Sequence, residues 1–148
     1  MFTDKLLELS AAQAVTATAV STSSVDLQVA RDIGEGDRLY VDFRVSTTAT
    51  AAGAATVAFE IVTADDAALT TNVTVLQQSA PVAVASLVAG YRTALVIPPQ
   101  IGSVGRRYIG AQFVVATGPL TAGNFDARIV KDIEDGLKPA YASGFSVS

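Results

Sequence analysis

Apolar and polar residues alternate along much of this chain, with the period of two that belongs to a half-buried strand. Over residues 39–46, Leu39, Val41, Phe43 and Val45 share one face while Tyr40, Asp42 and Arg44 share the other. The clearest unit spans residues 105–132. Its first half sets Ile109, Ala111, Phe113 and Val115 against Tyr108, Gln112 and Val114; its second sets Phe125, Ala127 and Ile129 against Asn124, Asp126 and Arg128. Between them ATGPLTAGN supplies the proline and glycines of a chain reversal, so the unit reads as a hairpin-like pair of strands.

Further strands are predicted at 25–29 (Val25, Leu27 and Val29 against Asp26 and Gln28), at 56–63 (Val57, Phe59 and Ile61 inward) and at 73–77. Another puts Tyr91, Thr93, Leu95 and Ile97 on one face and stops at Pro98-Pro99, which cannot extend a ladder. Residues 30–38 and 64–71 read as turns. The small-residue run 47–55 reads as a loop: a flexible tip, or a surface that another chain approaches closely. Residues 1–14 form a short helix or a packed arm, and 133–148 an irregular tail. About six to eight short strands with no sustained helical period predict an all-β, single-domain antiparallel β-sandwich or small barrel with irregular terminal arms. A doubly wound α/β fold lacks its helices.

Composition narrows the function. The 148 residues are 50% hydrophobic, enough for one core. The longest uncharged run, 67–91, is broken by Asn72, Gln77, Gln78, Pro81 and Gly90 and offers no membrane span, and Glu8 and Asp4 spoil a signal peptide. No membrane partner is expected. Ten basic and 14 acidic residues leave a net charge of −4 with no basic stripe, so no nucleic-acid partner is expected either.

Neither histidine nor cysteine occurs. Disulfides, thiolate chemistry, imidazole acid–base catalysis and Cys or His metal sites are thereby excluded. Asp65-Asp66 and Glu134-Asp135 lack calcium-loop spacing and read as solvated turns. Arg106-Arg107 reads as an exposed strand start. The GEG at 34–36 precedes a strand and is no phosphate loop, and Asn72-Val73-Thr74 matches a glycosylation triplet of a kind frequent by chance. With no tryptophan and four tyrosines a sugar-stacking platform is poorly provided for. No enzyme activity, cofactor or metal is expected. Large apolar residues on the irregular ends, Phe2, Leu6, Leu7 and Leu9 at one terminus and Tyr141 and Phe145 at the other, either fold back on the sandwich or dock on another subunit.

Several stretches in order, DKLLELSAAQAVTATAVST, ARDIGEGDRLYV, TTATAAGAATVAFEI, LVAGYR and YIGAQFVVATGPLTAGNFDARIVKD, resemble the capsid cement (decoration) proteins of tailed bacteriophages, of the Bordetella-phage type. The resemblance implies a jelly-roll sandwich on the outer surface of an icosahedral head. There it bridges major capsid protein subunits and stabilises the shell. It further implies a virion protein made in the bacterial host cytoplasm, acting as a homo-oligomer, a dimer before a trimer, with no active site. The six terminal apolar residues are then the candidate capsid or oligomer contacts. Two other readings compete: a receptor- or glycan-binding sandwich using Tyr40, Tyr91 and Tyr108, and a low-copy tail or head-completion protein.

Overall fold

Alternating apolar positions force each strand to bury one face, and a computed structural model shows how they do so. It describes residues 4–30, 36–99 and 105–131. Their strands, in order, are β1 (Glu8–Ala14), β2 (Ala19–Val20), β3 (Val25–Asp26), β4 (Tyr40–Ala51), β5 (Thr56–Ala64), β6 (Thr74–Gln78), β7 (Val82–Ala83), β8 (Arg92–Val96), β9 (Tyr108–Ala116) and β10 (Leu120–Val130). Single 3-10 turns at Lys5–Leu7 and Val84–Ser86 are the helical elements of this described part.

All pairings are antiparallel and fall into two sheets. One has the order β1-β10-β4-β8. The other runs β2-β9-β5-β6, with β3 also on β9 and β7 also on β5. The pairs β2/β3 and β6/β7 are each one edge strand broken in two, so the ten strands fill eight places. Each sheet then interleaves early and late strands, which is the jelly-roll arrangement of two Greek keys.

The inner faces meet in one aromatic cluster. Phe43 of β4 lies 5.1 Å from Phe59 of β5, and Phe113 of β9 lies 5.4 Å from Phe125 of β10, centroid to centroid. All four rings are fully buried, together with Leu9, Val41, Val45, Ile61 and Ile109. Each ring pair crosses from one sheet to the other, so these contacts hold the layers together.

Four expectations change. The unit at 105–132 is two strands, but they do not pair: β9 and β10 belong to opposite sheets. The link at 117–119, with Thr117 and Gly118 both at positive φ, lays one strand over the other so that their apolar faces meet. Alternation marks an apolar face equally well in either arrangement. Residues 47–51 continue β4 instead of forming a loop. Their small side chains let the bulged start of β10 come close: a Cβ on Gly123 would sit 3.1 Å from the Ala49 Cα. At 25–29 the strand stops after Asp26, because Gln28 takes a φ of 66° and leaves Val29 exposed. Residues 8–14, in the segment expected as a short helix or a packed arm, form an edge strand on β10 preceded by one 3-10 turn. The tail expected at 133–148 lies outside the described residues.

β5 departs from simple alternation in another way. It is buried on both faces over 57–64. Residues 65–73, between β5 and β6, fold back over the outer side of its sheet, where Leu69 packs with Val62, Ala64, Val20 and Tyr108. Gly110 makes the room, since a Cβ there would lie 2.3 Å from the Leu69 Cδ1.

Candidate interaction surfaces

The terminal apolar residues separate when placed on this frame. Leu9 fills the core between the sheets and is not a surface residue. Leu7 is half-buried against that core, and Leu6 is 84% exposed. Phe2, Tyr141 and Phe145 lie outside the described residues.

Leu6 stands on the 3-10 turn that leads into β1. The turn is closed by Asp4, whose carboxylate accepts the Leu6 N–H at 2.9 Å, and Lys5 pairs with Glu8. Beside it Arg128 projects from the outer side of β10, in register with Glu8 on β1 and Asp42 on β4. Both acids are otherwise engaged. Glu8 holds Lys5, while the buried Asp42 carboxylate accepts from Arg92 at 3.1 Å (Nε) and 2.6 Å (Nη2). The Arg128 Nε is buried without an acceptor, and Asp4, Lys5, Glu8 and Arg128 line a hollow of about 150 Å³.

On the opposite sheet the outer face carries the Asp26–Arg107 ion pair towards one end. Its centre is Glu60, 7% exposed, with Gln78 on β6 and Gln112 on β9 directly across from it. Burial holds the Glu60 carboxyl above its ordinary value. Val20, Ala58 and Val114 continue this face.

The residues singled out for chemistry take structural roles. Asp66 accepts from the Thr70 hydroxyl at 2.7 Å and from the Thr70 and Thr71 N–H groups at 2.8 and 2.7 Å. The Thr70 hydroxyl first, then the Thr71 amide, bring its pKa down to about 2. Asp65 accepts from Asn72 Nδ2, so the asparagine of the glycosylation triplet is engaged in this turn, and Arg106 sits 3.8 Å from Asp65. Arg107 forks onto Asp26 with two 2.8 Å bonds and lies over the Tyr108 ring. Glu134-Asp135 and most of the GEG loop lie outside the described residues. Among the described residues no group of acids is placed to hold a metal ion, and no helix is long and apolar enough to cross a membrane.

The three tyrosines do not converge. Tyr91 stacks on Phe59 at 6.5 Å, Tyr108 lies on the outer side of β9, and Tyr40 is on β4 of the other sheet. Sequence reasoning missed Arg128 and Glu60. Each occupies an ordinary polar position of an alternating strand, and the sequence holds no signal that its neighbours leave it unpaired.

Two layers of antiparallel sheet in jelly-roll order define an all-β sandwich protein. The sequence model of the family Bbp16 matches residues 9–129, well over half of the chain. The chain belongs to the Bbp16 family, a Bordetella-phage protein family. No curated protein matches it.

Proposed function

We propose that this chain is a capsid cement protein: a virion component that sits on the outside of an icosahedral phage head, bridges major capsid protein subunits and stabilises the shell. The family match over residues 9–129 is the observation that carries this reading. The jelly-roll frame is consistent with it. It presents two broad outer faces, four edge strands and an exposed Leu6, while the absence of His and Cys removes the commonest catalytic groups.

On this reading the protein performs no chemistry and needs no cofactor. It works by adding contact area at many equivalent sites, as a homo-oligomer, a dimer first. An oligomer that touches two capsomers at once converts modest individual affinities into firm attachment. The separated tyrosines give no support to a glycan-binding face.

Denaturing gel densitometry of purified virions tests the proposal. A band near 15.2 kDa with a copy number close to that of the shell protein is the expected result. Copies in the low tens per particle would transfer the chain to the tail or head-completion machinery, and no band would remove it from the virion.

A further inference from the structure

The N-terminal corner carries a cation that its own sheet does not neutralise. Arg128 stands between Glu8 and Asp42 across the strands, yet the ion pairs at this place join Glu8 to Lys5 and Asp42 to Arg92. Its Nε–H is buried with no acceptor, although a guanidinium has five donors in a rigid fork and native proteins rarely leave buried donors unmet. The hollow it lines is open to an incoming group, and the exposed Leu6 belongs to the turn that forms the hollow's wall.

We propose that Arg128 is the receptor for a carboxylate side chain presented by a partner protein, with Leu6 supplying apolar contact beside it. Charge selects the ligand. Asp4 and Glu8 stand in the same lining as Arg128 and Lys5, so a dianion such as phosphate meets two carboxylates. A single carboxylate takes the guanidinium fork in two parallel bonds and adds less repulsion. An exposed leucine on the adjoining turn suits a polypeptide segment with an acidic residue flanked by apolar ones. That the partner is the shell subunit rests on the function proposed above; that the site takes a carboxylate does not.

Two experiments separate these statements. In the purified full chain, the Arg128 Nε–H resonance is followed by NMR during titration with sodium acetate, with sodium chloride at equal ionic strength as control. A saturable shift with acetate and none with chloride is expected; no saturable acetate shift overturns the site. Then Arg128→Gln is compared with wild type in binding to heads freed of this protein. The expected loss is about tenfold or more, with the melting temperature unchanged. Equal binding by the two proteins would overturn the docking role. If wild type does not bind heads at all, the cement reading fails, and the acetate titration alone decides whether the corner is a carboxylate site.

Discussion

At the scale of single residues, burial sets the sign of each effect. Glu60 has its carboxyl raised by desolvation, so it favours folding most below its unfolded pKa and loses that contribution as pH rises through its folded value. At pH 7 it therefore costs stability. Glu60→Gln should raise the melting temperature at pH 7 by about 1–3 °C and have no such effect near pH 4, a difference readable by calorimetry. A lower melting temperature at pH 7 would mean that the carboxylate is held by a favourable contact. Phe59 lies at the junction of four ring pairs, with Phe43, Tyr91, Phe113 and Phe125. Phe59→Ala should cost about 3–5 kcal/mol in denaturant unfolding. The Arg92–Asp42 pair is bidentate and its carboxylate is buried, so Arg92→Ala leaves a desolvated charge and should cost about 3 kcal/mol by the same measurement.

At the scale of elements, the segment 65–73 is a strap latched at one point. Leu69, at a φ of 56°, fits over Gly110, and Asp66 ties the turn with three hydrogen bonds. Gly110→Ala pushes the Leu69 side chain off, and Leu69→Ala removes it, costing about 2 kcal/mol. Because both act on one contact, the double variant should fall short of additivity by about 1 kcal/mol in a double-mutant cycle. Full additivity would show that Leu69 does not latch on Gly110. The reading of 64–71 as a turn stands, while the burial of Leu69 against the outer side of a sheet has no sequence signal: one leucine in a polar loop has no period. The expected hairpin at 105–132 shows a related limit. The Phe113 and Phe125 faces are legible in the alternation, but whether two such strands lie side by side or face to face depends on the path of the link at 117–119.

At the scale of the whole molecule, exposed acids oppose Glu60 in their response to pH. Arg107 first, and then the Gln28 amide, hold Asp26 at about 2, as the Thr70 hydroxyl and Thr71 amide hold Asp66. Groups depressed in this way contribute stability above their ordinary value of 3.8 and lose it as pH falls toward 2. The melting temperature should thus decline between pH 4 and pH 2, and a variant combining Asp26→Asn with Asp66→Asn should show a flatter decline. An unchanged slope in that variant would place the acid sensitivity in other groups.

The apolar faces of β4, β5, β9 and β10 and the all-β class of fold follow from the order of residues alone, because alternation is a local property that each of these strands states for itself. The lack of histidine and cysteine likewise bounds the chemistry through composition, whatever the chain's path in space. Packing of distant segments settles the rest: which sheet each strand joins, that Leu9 is core while Leu6 is surface, that the Arg128 Nε is buried without a partner, and that Glu60 is left 7% exposed. Those outcomes depend on neighbours brought together from separate parts of the chain. Arg128 is left over because Lys5 and Arg92, far from it in sequence, have already taken Glu8 and Asp42.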